Sequence, residues 1–303
     1  MSSERIGFAL RHGVFSPSEI REVSTILEGD RRVRAVFIPD GKSGYEAIEI
    51  ASSILSHTRR IHAGTGVIRL LEHDPAHLTR RVQTLQGFSS NRFLLGVGTG
   101  SPGPKPGISV MSTLERIEQL KKMFRSFPSG VQPPEIYVAA LKAGIAKRAV
   151  GIADGLLLNF CSPQHAKGLI EAVKPQLASP IEFGCYLKTF YASASDETAK
   201  RLMVQEFLNY DSAPQYHEMF LQDGTADVIS ELRRDDGWKR GPVELPRELL
   251  KVSLANPTDD ESHEYMRSFR RAGVTIPVIY PYFPTNETPE FKLDTVKRIM
   301  EST

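Results

Sequence analysis

The feature that most constrains this chain is an alternation. Eight short apolar runs, Ile6–Leu10, Val33–Pro39, Ile61–Val67, Arg92–Val97, Ile136–Leu141, Gly155–Phe160, Glu182–Tyr191 and Ile276–Tyr282, are separated by longer segments with helical periodicity. Apolar runs of this length read as strands buried on both faces. Between them, segments such as GYEAIEIASSILSH, residues 44–57, place apolar residues near i, i+3 and i+4. Strands alternating with helices form a parallel sheet. Eight such units in 303 residues fit an α/β fold of the (β/α)8 TIM-barrel type.

Local signals support the helices. Ser16 caps a helix that carries Pro17 in its first turn, and Asp74 with Pro75 opens another that runs to about Gly87. Further helices are read at 112–127, 144–150, 163–173 and 289–300. A partly polar helical region at 195–232 and helices at 244–252 and 257–272 all fall between the seventh and eighth strands. That connection is therefore an expanded helical insertion. No linker, repeat or low-complexity segment divides the chain, so residues 1–303 are read as a single domain.

Charge excludes some functions. With 38 basic and 36 acidic residues, there is no strong field for nucleic acid or a membrane surface. Cys161 and Cys185 are the only cysteines, which argues against a disulfide framework or a zinc cluster and for two small buried side chains. The segment MSSERIGFALRHG lacks a signal pattern, and no apolar run approaches the ~18 residues a membrane span needs. A soluble, cytoplasmic protein is expected. His73 and His77 flank Asp74, but a pair at i, i+4 without a third ligand makes a poor metal site, so no metal is expected.

Gly98-Thr99-Gly100-Ser101-Pro102-Gly103 formally matches the dinucleotide-loop pattern G-x-G-x-x-G. That loop must follow the first strand of its unit and open a helix. Here it follows the fourth strand and runs into prolines, so the dinucleotide reading fails. In a barrel the loops after the strands carry the active site. Glycine-rich or polar stretches end four strands: Gly64 and Gly66 in IHAGTGV, Gly98 to Gly100, AALKAG at 139–144, and Asn159 after ADGLLL. At AALKAG, backbone N–H groups at a helix start together with Lys142 suit a phosphate, although Lys142 reads equally well as a solvated lysine.

Taken together and in order, IHAGTGV, DPAHLTRRVQTLQGFSSNRFLLGVGTGS, IYVAALKAGIAKRAVGIADGLLLNFCSPQH and FRRAGVTIPVIYP resemble the bacterial-luciferase-like superfamily over about half the chain. Members of that superfamily bind flavin mononucleotide (FMN) or the deazaflavin coenzyme F420. IYVAAL…AVGIADGLLLNFCSP leans toward the deazaflavin branch and its methylenetetrahydromethanopterin reductases.

The resemblance implies a bulge at Gly66-Val67 that supports the tricyclic ring, often through a non-prolyl cis peptide. It further implies that Gly98, Thr99 and Gly100 line the cofactor pocket, that Ala140, Leu141, Lys142, Ala143 and Gly144 form the phosphate-side loop, and that Asn159 lies near the cofactor. Many deazaflavin-dependent relatives have Asp-His where this chain has Asp40-Gly41. Asp40 is then either a direct acid–base group, given burial enough to bring it toward neutrality, or a turn residue. His12, after the first strand, is the other acid–base candidate, or a solvated loop histidine. Arg69 would meet an anionic substrate or cofactor tail.

The implied activity is hydride transfer between coenzyme F420 and a small organic substrate. The alternatives are an FMN-dependent monooxygenase or a non-catalytic cofactor-binding protein. Relatives are often dimers, so a homodimer is expected, and the apolar face of GYEAIEIASSIL either meets a second copy or packs on the barrel.

Overall fold

A computed structural model describes residues 5–11, 13–41, 44–99 and 110–302. In chain order the elements begin with β1 (Ile6–Ala9), α1 (Pro17–Gly29), β2 (Val33–Ile38), α2 (Ala47–His57), β3 (His62–Thr65), β4 (Ile68–Arg69), α3 (Pro75–Ser89) and β5 (Phe93–Gly98). Then come α4 (Val110–Phe124), β6 (Glu135–Ala139), α5 (Ala143–Ala149), β7 (Gly155–Asn159), α6 (Pro163–Val173) and β8 (Glu182–Phe190). The insertion holds α7 (Asp196–Asp211), α8 (Pro214–Gln222), α9 (Ala226–Arg234), α10 (Arg247–Leu250), β9 (Leu254–Ala255) and α11 (Asp259–Arg271). β10 (Ile276–Tyr282) and α12 (Pro289–Glu301) follow.

Eight strands close a parallel barrel in the order β10-β1-β2-β3-β5-β6-β7-β8, with β8 pairing back to β10. The two-residue strands β4 and β9 attach to β5 and β8. The expected (β/α)8 architecture and its insertion are both present. The cap signals hold as well. Ser16 forms a capping box with Glu19, and the Asp74 side chain accepts from the His77 N–H with Pro75 in the first turn. The expected helical region at 195–232 divides into α7, α8 and α9. Pro214, which cannot continue a preceding helix, starts α8, and Gly224 turns the chain at φ +71°. The apolar face of α2 (Ile48, Ala51, Ile54, Leu55) is buried in the core, so it packs on the barrel.

The barrel's lower end, where the strands begin, is closed by charge. Arg34 pairs with Glu135 at 2.6 Å, Arg5 with Glu182 at 2.8 Å, and the Tyr137 hydroxyl donates to Glu182. Beside them, the buried guanidinium of Arg92 donates to the backbone carbonyls of Ser89, Ile61, Leu55 and Thr58 at 2.7–3.0 Å. One side chain thereby ties the ends of α2 and α3 to the starts of β3 and β5. Among the described residues, no helix is long and apolar enough to cross a membrane.

Two outcomes follow for stability. Arg92→Met leaves those carbonyls buried without a donor and should cost about 3 kcal/mol or more in chemical denaturation. His62 is pushed down to about 3 by burial and by the charges of Arg34 and Arg92. The folded protein refuses a proton that the unfolded chain accepts below about 6.5. Stability should therefore be full above that pH and fall as pH drops toward 3, by less than about 1.4 kcal/mol per unit because His62 is partly exposed. Denaturation curves for His62→Gln should lose this slope.

Candidate functional site

At the upper end of the barrel, exposure divides the rim in two. On the side of β2, β3, β5, β6 and β7, the residues at the strand ends are half-buried: Asp40, Val67, Thr99, Ala139, Leu141 and Asn159. This arc holds most of the residues expected at the cofactor. His12 and Gly100 lie outside the described residues.

The bulge is present. Gly66-Val67 is a non-prolyl cis peptide. The Gly66 N–H donates to the Ile38 carbonyl at 2.8 Å, and its carbonyl accepts from the Tyr186 hydroxyl at 2.7 Å. Tyr186 stands on β8, which is diametrically opposite β3 in the ring of eight strands. A Cβ on Gly66 would lie 1.9 Å from that hydroxyl and 2.8 Å from Phe37 Cβ. A Cβ on Gly98 would lie 2.9 Å from Val67 Cγ2. At both positions a neighbouring side chain already fills the space that a Cβ would need. The role of these two glycines is to seat Tyr186 and Val67, and it is the half-buried Val67 side chain that reaches the rim.

Asn159 donates through Nδ2 to the Tyr216 hydroxyl at 2.7 Å, while its Oδ1 is buried with no hydrogen-bond partner. A buried acceptor left alone is costly and fits a ligand that brings a donor. Across the phosphate-side loop, the Ala140 N–H is spent on the Leu157 carbonyl at 3.0 Å, and the Leu141 carbonyl lies 2.9 Å from His165 Nε2. Lys142 sits at the cap of α5 and pairs with Glu218 of α8, so it is not simply a solvated lysine. Ala143 and the exposed Gly144 form the first turn of α5.

Asp40 and Arg69 turn out to be partners. Arg69 lies 3.2 Å from the Asp40 carboxylate, donates to the Gly41 carbonyl at 2.9 Å and pairs with Glu72 at 2.9 Å. Asp40 is thus anchored as half of an ion pair. Arg69 has its charge met by two carboxylates and has little left for an anionic tail.

The other side of the rim, β8, β10 and β1, is filled. Lys188 is fully buried and bonds Glu206 of α7 at 2.8 Å, surrounded by the rings of Tyr210, Phe160, Tyr282 and Tyr280 at 3.7–5.5 Å. Burial pushes the Glu206 carboxyl up, but Lys188 outweighs it and holds the group below its ordinary range. Arg11, at the end of β1, lies over the Tyr282 ring at 4.9 Å and 4.0 Å from Glu206. Sequence reasoning did not find this cluster. The alternating Tyr186 and Lys188 of CYLKTF and Tyr280 and Tyr282 of IPVIYPY signalled one polar face on each strand, but Glu206 on a distant helix carried no sign.

A separate cleft of about 840 Å³ lies among α5, α6, α8 and α11, lined in part by Ser162, His165, Asp223, Lys251 and Tyr265. It lies on the outer helical layer and touches the predicted set only at Ala143.

A closed parallel barrel with polar groups gathered at the strand ends defines a barrel enzyme. The profile of the luciferase-like monooxygenases matches residues 33–118 and 113–275, so the chain belongs to that family and is an oxidoreductase of the luciferase-like type. No curated protein sequence matches it. Solved structures with the same fold include the coenzyme F420-dependent tetrahydromethanopterin reductase from Methanopyrus kandleri, at 16% identity and TM-score 0.71 over 98% of both chains. An F420-dependent secondary alcohol dehydrogenase in complex with an F420-acetone adduct aligns at 13% and 0.73 over 99% of both chains. The oxygenating constituent of 3,6-diketocamphane monooxygenase from Pseudomonas putida, in complex with FMN, aligns at 15% and 0.66 over 99% of this chain and 98% of its own.

The Tyr186–Gly66 contact predicts a coupled pair of substitutions. Tyr186→Phe should cost about 1–2 kcal/mol by leaving the Gly66 carbonyl unmet. Gly66→Ala should cost more than about 2 kcal/mol in the wild-type background, and measurably less when Phe at 186 has removed the obstructing hydroxyl. Additive losses in thermal denaturation would show that the two residues do not share this space.

Proposed function

We propose that the protein is a coenzyme F420-dependent oxidoreductase that moves a hydride between the cofactor and a small organic substrate. The observation that carries this reading is the half-buried arc from Asp40 to Asn159, with an orphaned acceptor at Asn159 Oδ1 and an apolar floor at Val67. A planar ring with a polar edge fits that combination: the ring covers Val67, and an N–H on its edge meets Asn159 Oδ1. When bound, coenzyme F420 supplies the carbon centre that gives or takes the hydride.

The chain's own groups would then divide the remaining work. Lys142 would receive the phosphate, with Glu218 yielding part of its contact. Ala143 and Gly144 leave the approach to Lys142 low, and Ala140 and Leu141 fix the loop through their backbone bonds. Asp40, held by Arg69, would orient the substrate and accept a proton at its carboxylate, with His12 as the second proton carrier. Thr99 and Gly100 would border the ring on the β5 side. A second copy of the chain would seat on the groove between α2 and α3, lined by Glu49, Arg80, Arg81 and Leu85, next to the 90% exposed Phe88.

FMN-dependent monooxygenation is the second reading, supported by the FMN complex among the structural neighbours. The resemblance of IYVAAL…AVGIADGLLLNFCSP to the deazaflavin branch favours the first.

Fluorescence titration of the purified protein with each cofactor tests the assignment. Coenzyme F420 should bind with quenching, and FMN at least tenfold more weakly. Asn159→Ala should weaken cofactor binding about tenfold while changing the melting temperature little, because the orphaned acceptor disappears with the bond to Tyr216. Tight binding of FMN alone would move the protein to the second reading, and binding of neither would remove both.

A further inference from the structure

The filled side of the rim holds two cations against one carboxylate. Glu206 accepts a hydrogen bond from Lys188 Nζ at 2.8 Å through Oε1, the same oxygen that faces Arg11. That oxygen is therefore already engaged. Arg11 comes no nearer than 4.0 Å, which is beyond hydrogen-bond reach. Among the described residues, no acceptor takes any of the five guanidinium donors of Arg11. Its side chain is 41% exposed at the mouth, with one face lying on the Tyr282 ring. The cluster thus carries one positive charge more than it neutralises, presented as a planar fork on an aromatic shelf.

Its position excludes the cofactor's phosphate loop as the natural partner. In the barrel order, β1 and β6 stand diametrically opposite each other. Arg11 follows β1 and Lys142 follows β6, so the two cations face each other across the mouth. A chain of rings joins Arg11 to the bulge: Tyr282 to Tyr280 at 4.7 Å, Tyr280 to Tyr186 at 5.4 Å, and the Tyr186 hydroxyl to Gly66. The anion that Arg11 suits would therefore lie on the side of the mouth away from Lys142.

We propose that the substrate of this enzyme is a carboxylate, and that Arg11, supported by the Tyr282 ring and the Lys188–Glu206 pair, is the residue that receives its carboxylate group. This rests on the reading of the mouth as the active site but not on which cofactor it holds. Arg rather than Lys suits the task because a guanidinium fork matches a carboxylate in bidentate fashion.

The test is isothermal titration of the purified protein with two carboxylates, benzoate and butyrate, and with their neutral amides, benzamide and butyramide. At least one carboxylate should bind at least tenfold more tightly than its amide, with the difference shrinking as salt is raised. Arg11→Gln should abolish that preference, and Arg11→Lys should retain part of it, which keeps the comparison valid should one variant fold poorly. Affinity for coenzyme F420 and for FMN should change less than threefold in both variants. No carboxylate preference, or a preference that survives Arg11→Gln, overturns the proposal. Loss of cofactor affinity with carboxylate binding intact also overturns it, and assigns Arg11 to an anionic group of the cofactor. Because the carboxylate titrations need no cofactor, a failed cofactor assignment leaves them interpretable.

Discussion

The hydrogen bond from Tyr186 to the Gly66 carbonyl runs from β8 to β3, across the full width of the barrel. Much of the upper structure depends on it. The hydroxyl needs a glycine opposite it, and the glycine needs the hydroxyl because its carbonyl is buried. Phe37 and Tyr137 pack edge-on to each other, and Phe37 meets Tyr186 in the same way, so the middle layer is a cluster of rings seated against small residues. The strut sets the height of the Gly66-Val67 bulge, and the bulge sets how far Val67 rises into the mouth. A structural contact in the core thereby fixes the floor of the barrel mouth.

Electrostatics then sort the rim. Among the described residues, the cations near the mouth other than Arg11 have a hydrogen-bonded or closely paired carboxylate: Arg69 with Asp40 and Glu72, Lys142 with Glu218, Lys188 with Glu206. The pairs differ in what they can do. Lys188 is fully buried, so separating it from Glu206 would leave an isolated charge in an apolar setting. Lys142 and Glu218 are exposed, and Lys142 can exchange its partner for a ligand at little cost. The buried pair is therefore scaffold and the exposed pair is adaptable, although both consist of a lysine and a glutamate.

The sequence made the barrel legible because its signal is repeated eight times: a short apolar run, a helical period, then Gly or Pro. Cap residues such as Ser16 and Asp74 announced helix starts because the cap is a local contact between a side chain and the next turn. The bulge at Gly66-Val67 was legible only through family resemblance, since nothing in the residues themselves required it. What could not be read were contacts between residues well separated in the chain. The partnership of Asp40 with Arg69, of Lys142 with Glu218 and of Lys188 with Glu206 joins residues 29, 76 and 18 positions apart. What sits against Gly66 and Gly98 was not legible either, because a missing Cβ looks the same in a sequence whether a ligand or a neighbouring side chain takes up its space.

The insertion shows how the same barrel acquires a particular chemistry. The seventh connection supplies α7 and α8, and with them Glu206, Tyr210, Tyr216 and Glu218. These residues reach back to Lys188 on β8, to Asn159 on β7 and to Lys142 after β6. One insertion thus sets the partners of three neighbouring strand ends, orienting the Asn159 amide through Tyr216 and balancing the charge of Lys142 through Glu218. β2 and β3 lie outside its reach, and there the charge balance is local, between Asp40 and Arg69. Changes in α7 and α8 would retune the β6–β8 side of the mouth while leaving the Gly66-Val67 floor in place, because that floor is held from within the barrel by Tyr186 and not by the insertion.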